Sequence, residues 1–133
     1  MSRLRILVVE DNTIIQALYK IALSPDIFES CYCDNGRDAL SLYRSFKPDI
    51  ILLDIMLPEM TGYSVLKEIR KTFLDSSIIV IVVSSIAEKS DIEDFLRLDI
   101  QGYIVKPFKP AQISTRIIQC YQERKARQVA ADR

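Results

Sequence analysis

Four short runs in this chain are apolar almost without interruption: Ile6 to Val9, Ile50 to Leu53, Ile78 to Val83, and Tyr103 to Val105. Their β-branched, unalternating character predicts strands buried on both faces, as in a parallel sheet covered on each side. A weaker strand is expected at Phe28 to Cys33. Between the runs the apolar residues recur at helical spacing. Thr13 with Gln16 offers a capping box to a first helix whose inner side would carry Ile14, Ile15, Leu18, Ile21 and Ala22. Asn35-Gly36 opens a second helix on Ala39, Leu40, Tyr43 and Phe46, which Pro48 stops. A third follows Gly62 through Val65, Leu66, Ile69 and Phe73. A fourth starts at a Ser90/Glu93 box, carries Ile92, Phe95 and Leu96, and closes near Gly102. Pro110 suits the first turn of a fifth, striped by Ile113, Ile117, Ile118 and Tyr121, with Cys120 as a packing residue. Five strands alternating with five helices argue for an α/β fold built from right-handed βαβ units.

Length and composition narrow this picture. At 133 residues, 49% hydrophobic and 27% charged, the chain suits one domain with a proper core. The 18 basic and 18 acidic residues balance, so the totals carry no basic footprint for nucleic acid, and direct nucleic-acid binding is not expected. The tail after Tyr121 holds Glu123, Arg124, Lys125 and Arg127 without an evident packing role, and is read as solvent-facing. No apolar run approaches the roughly 20 residues that span a bilayer, and the N-terminus has no signal-peptide pattern; a cytoplasmic location is expected. Three cysteines, Cys31, Cys33 and Cys120, read as reduced thiols. The absence of histidine removes His-based triads and most zinc catalysis.

The chemistry lies at the strand exits. Parallel strands share one carboxyl edge, where ligands of open α/β sheets bind. The first strand ends in Glu10-Asp11, the third in Asp54, the fourth in Ser84-Ser85 and the fifth in Lys106-Pro107. Neighbouring strands lie about 4.8 Å apart, so adjacent strands would bring Asp11 and Asp54 close. Two carboxylates about 4 Å apart repel by roughly 4 kcal/mol at an effective dielectric of 20. Either one is protonated, or Lys106 and a bound divalent ion share the neutralisation. An all-oxygen donor set favours magnesium.

Glu10-Asp11, Asp54 with Pro58 and Gly62 downstream, Ser84, and Lys106-Pro107 together resemble the response-regulator receiver domain of two-component phosphorelay signalling, over residues 4 to 121. The resemblance implies the flavodoxin-like (βα)5 arrangement, strand order 2-1-3-4-5. It implies residues 1–123 as the receiver and 124–133 as a helical extension or tail. Asp54 would be the phosphoacceptor, charged by a histidine kinase or histidine phosphotransfer protein or by a small phosphodonor. Glu10, Asp11, Asp54 and the main-chain carbonyl of Met56 would hold Mg2+, and Lys106 would pair with a phosphoryl oxygen. Ser84 would be the hydroxyl switch and Tyr103 the aromatic that moves with it; Ser85 could replace Ser84 only through a register slip. An output protein or domain would be met on the face of the fourth helix, fifth strand and fifth helix, with a homodimer as a further partner. The Lys106-Pro107 bond would be cis.

Two departures stand out. Met56 and Ile86, two residues past Asp54 and Ser84, are apolar where the family tunes water access, which suggests a long-lived phosphoryl group. Leu98-Asp99-Ile100-Gln101-Gly102 lacks the small Gly-Ala step of many receivers. Competing readings fit less well. A flavin binder would want a glycine- and hydroxyl-rich cradle where Glu10-Asp11-Asn12 stands. A haloacid-dehalogenase-type phosphohydrolase would want a second aspartate at Met56. A receiver reduced to docking would lack one of Glu10, Asp11, Asp54 or Lys106. The chain reads as a stand-alone messenger or as the receiver of a longer protein.

Overall fold

The computed structural model describes residues 3–85 and 89–132, the side chains of 89–91 excepted. Five strands, β1 (Leu4–Val9), β2 (Phe28–Cys33), β3 (Ile50–Leu53), β4 (Ile79–Ser84) and β5 (Gly102–Val105), form one parallel sheet in the order β2-β1-β3-β4-β5. Helices α1 (Thr13–Ala22), α2 (Gly36–Phe46), α3 (Gly62–Lys67), α4 (Lys89–Leu96) and α5 (Pro110–Ala131) connect and follow them. The unalternating strands are explained by two cores. Leu7, Val9, Ile51, Leu53, Val80 and Val82 face Ala39 of α2, Val65 and Leu66 of α3 and Phe95 of α4. Ile6, Val8, Ile50, Leu52, Ile79, Ile81 and Val83 face Tyr19 of α1 and Ile113, Ile117 and Cys120 of α5. Fully burying one such aliphatic side chain stabilises by about 1.5–3 kcal/mol, so the strands carry much of the driving force.

Several helical details differ from the sequence expectation. Thr13 does not cap α1: Asn12 does, its side chain accepting from the Ile14 and Ile15 N–H groups at 2.8 and 3.0 Å. Ile14 and Ile21 face solvent, 73% and 70% exposed, because the inner stripe runs through Ile15, Leu18, Tyr19 and Ala22 instead. Ile118 is likewise exposed, and Cys120 takes its place on the inner side of α5. Leu96 is exposed while Phe95 is buried. α3 gives way at Glu68–Thr72 to a π-helical turn, closed by the Phe73 N–H on the Glu68 carbonyl at 2.9 Å; this leaves Phe73 half-exposed against the Tyr43 ring. The Ser90 cap and the side chain of Ile86 lie outside the described residues.

Arginines collect main-chain carbonyls where the helices end. Arg70 donates to the Leu98, Asp75 and Asp99 carbonyls at 2.9, 2.9 and 2.7 Å, tying the π-helical turn after α3 to the loop before β5. Within that loop Asp99 takes a left-handed φ of 59° while Leu98 and Ile100 turn into the core. Arg124, read as part of a solvent-facing tail, is half-buried and donates to the Ser76 and Ser77 carbonyls at 3.1 and 2.7 Å. α5 therefore runs as one helix past Tyr121, pinned across the amino-terminal edge of β4.

Candidate functional site at the carboxyl edge of the sheet

Register brings the strand exits together. Val9 pairs with Leu53 and Leu53 with Val82, so Glu10 and Asp54 leave neighbouring strands side by side; the Asp54 N–H donates to the Val9 carbonyl at 3.1 Å. Ser84 pairs with Val105, and the Lys106 N–H donates to the Ser84 carbonyl at 2.8 Å. Ser84 is thus the last residue of β4, buried, and Ser85 lies exposed beyond it. Tyr103 pairs with Val82, two residues before Ser84, and packs half-buried against the core on the α2, α3 and α4 side.

Glu10 and Asp54 are buried, at 1% and 6% exposure, which is unusual for carboxylates unless they are paired. Their partner is Lys106, whose ammonium bridges Glu10 Oε1 and Asp54 Oδ2, the latter at 3.0 Å. Asp54 also accepts from the Met56 N–H at 3.2 Å through Oδ1. Burial pushes the Glu10 carboxyl up to about 7, against the pull of Lys106 and the Asn12 N–H; the neighbouring Asp54 charge adds to the rise. Burial alone would lower the Lys106 ammonium, yet its bonds to Glu10 and Asp54 outweigh that and hold it above its usual value. The lysine thus serves as the counter-charge that the carboxylate repulsion requires.

Asp11 is exposed at the mouth of the same cluster. Oxygen atoms of Glu10, Asp11 and Asp54 all lie within 4.8 Å of one another. This hard, all-oxygen set without Cys or His fits a small divalent cation such as Mg2+. A Cβ on Gly62 would lie 2.1 Å from the Asp54 carbonyl oxygen, so only glycine lets the start of α3 pack so closely on the residue that presents the carboxylate. Thr61 caps α3 through the Ser64 N–H at 3.2 Å. The Met56 side chain is 63% exposed. The Lys106-Pro107 bond is cis.

The structure therefore brings together Glu10, Asp11, Asp54 and Lys106, with Ser84 and Met56 flanking and Tyr103 farther along its strand. Sequence reading missed Gln16. Taken for half of a capping box, its side chain instead donates to the Glu10 main-chain carbonyl at 2.6 Å. A glutamine one helical turn after an acidic strand end was the available signal.

Comparison with known proteins agrees with this geometry. Residues 6–118 match the family model of the response regulator receiver domain. Over 113 residues, 85% of this chain and 43% of the relative, the chain is 34% identical to "Probable transcriptional regulator ycf27" of Guillardia theta. It is 33% identical to "DNA-binding response regulator MtrA" of Mycobacterium leprae (strain TN), over 86% of this chain and 50% of that one. The chain thus spans about half the length of these curated relatives. Among solved structures, a CheY-like response regulator receiver domain protein from Methanospirillum hungatei JF-1 superposes with a TM-score of 0.86 at 26% identity, covering 95% of this chain and 99% of that one. A LuxR-family DNA-binding response regulator from Staphylococcus aureus gives 0.77 at 30% identity, covering 88% and 98%. Sheet order, the polar carboxyl edge and the match over residues 6–118 lead to one assignment: the chain belongs to the response regulator receiver domain family.

Proposed function

We propose that Asp54 is the phosphoacceptor of a two-component switch. The observation that carries this reading is a buried aspartate at the exit of β3 whose Oδ2 lies 3.0 Å from the Lys106 ammonium, beside two further carboxylates. Phosphoryl transfer asks a protein chiefly for positioning and charge neutralisation, and this site supplies both. An Asp54 oxygen forms the new P–O bond while the P–N bond of a phosphohistidine breaks, its electron pair returning to the imidazole nitrogen. Lys106 meets a phosphoryl oxygen as a point charge. Glu10, Asp11, Asp54 and the main-chain carbonyl of Met56 would hold Mg2+, which when bound neutralises charge gathering on the phosphoryl oxygens. The receiver unit is taken as residues 1–123, with 124–133 as its helical extension or tail.

Phosphorylation adds nearly two negative charges and strong acceptor oxygens beside the end of β4. Ser84, buried there, is the hydroxyl that would turn to them, and Tyr103 on the neighbouring strand would follow. The surface changed is that of α4, β5 and α5, where an output protein or domain, or a second copy, would dock. The relatives named as transcriptional or DNA-binding regulators favour a transcriptional output in a longer protein. The donor would be a histidine kinase or histidine phosphotransfer protein. Among the described residues no helix is long and apolar enough to cross a membrane.

Intact-mass analysis with acetyl phosphate and Mg2+ tests the assignment. One phosphoryl adduct is expected on the wild type and none on Asp54→Asn; an undiminished adduct in the variant refutes Asp54 as acceptor.

A further inference from the structure

Of the three clustered carboxylates, Asp11 is the exposed one, so its aim into the cluster depends on the main chain that carries it. That main chain is held by a short ring of hydrogen bonds. The Glu10 N–H donates to the Cys33 carbonyl at 3.0 Å, and the Asn12 N–H donates to Glu10 Oε2 at 3.2 Å. The Glu10 carbonyl accepts from the Gln16 Nε2 at 2.6 Å. Gln16 is fixed in turn, since its own N–H donates to the Asn12 carbonyl at 3.0 Å and Asn12 caps α1.

The Glu10 carbonyl lies in the peptide plane that leads directly into Asp11. Rotation of that plane would swing the Asp11 carboxylate out of the cluster while leaving β1 paired. We infer that Gln16 is a positioning residue for the metal site: its amide locks the Glu10–Asp11 peptide plane so that Asp11 faces Glu10 and Asp54. The inference rests on the magnesium reading above. Partners that orient metal ligands typically change affinity by about 10–100-fold when removed, and one step back through the main chain places Gln16 at about tenfold.

Two variants isolate this role. Gln16→Met keeps length and volume but has no donor, and Gln16→Asn keeps the amide but is one methylene too short to reach. Calorimetric titration of MgCl2 into the protein should give a dissociation constant about tenfold weaker in both. Thermal unfolding in EDTA should match the wild type, and the Asp11 amide resonance should shift in the metal-free protein. Wild-type Mg2+ affinity in either folded variant overturns the inference. So does failure of both to fold, which would make Gln16 a stabilising contact. Wild-type protein that takes up no Mg2+ overturns the magnesium reading itself and, with it, this role.

Discussion

Single residues at the carboxyl edge do unlike jobs with like chemistry. Glu10 and Asp54 are both buried beside one lysine, whereas Asp11 is open to water. Met56, whose N–H donates to Asp54 Oδ1, carries an exposed apolar side chain that cannot orient a water molecule. A phosphoryl group carried on Asp54, as proposed, should therefore be long-lived. Met56→Asn should shorten its half-life by up to about a hundredfold, the low end of what a positioned proton-transfer group contributes. The check is decay of the acetyl-phosphate adduct after chelation, without partner proteins; rapid loss from the wild type would refute the idea. The strand-end residues were legible in the sequence because parallel strands align their exits, so type and order alone suffice. Gln16 was not, because a helix-start glutamine looks the same whether it caps its own helix or reaches back to the preceding strand.

Elements are joined by polar contacts that no local pattern announces. Arg70 links the π-helical turn after α3 to the loop before β5 through carbonyls 28 and 29 residues away, a span over which periodicity is silent. Replacing it with Met should cost about 2–3 kcal/mol, since the carbonyls lose a charged donor; chemical denaturation measures this. Beside it, Asp75 anchors the turn into β4. Burial alone would raise its carboxyl, but the Tyr43 hydroxyl at 2.6 Å and the Ile78 and Ser77 N–H groups hold it below its usual value of 3.8. The folded protein thus binds this proton less readily than the unfolded chain. The stabilisation is complete above the ordinary carboxylate value and is lost as pH falls through the lower folded one. Asp75→Asn should narrow its stability gap from the wild type as acid is added; parallel curves would exclude the contact. Helix faces were the least legible elements. On α1 the apolar residues Ile14, Ile15, Leu18, Ile21 and Ala22 span too wide an arc for the sequence to say which side turns inward, and Tyr19 settles it by filling the space beside Phe108.

For the molecule as a whole, the two-sided sheet was legible because short β-branched apolar runs alternate with helical segments, the pattern of a parallel sheet covered on both faces. The packing of the far end of the C-terminal helix was not, since charged residues such as Arg124 read as solvent-facing until the carbonyls they reach are known. Ending the chain after Tyr121 would delete both Arg124 bonds to the Ser76 and Ser77 carbonyls just before β4. It should lower stability by about 1–3 kcal/mol, readable as a shifted denaturation midpoint. The same helix sets the geography of the signal. Its 22 residues extend about 33 Å at 1.5 Å per residue, from beside Lys106 to beyond the opposite rim of the sheet. A module joined to its far end would be handed over at the pole opposite the acidic cluster. News of phosphorylation would have to reach such a module as a turn or re-pairing of α5, never as touch.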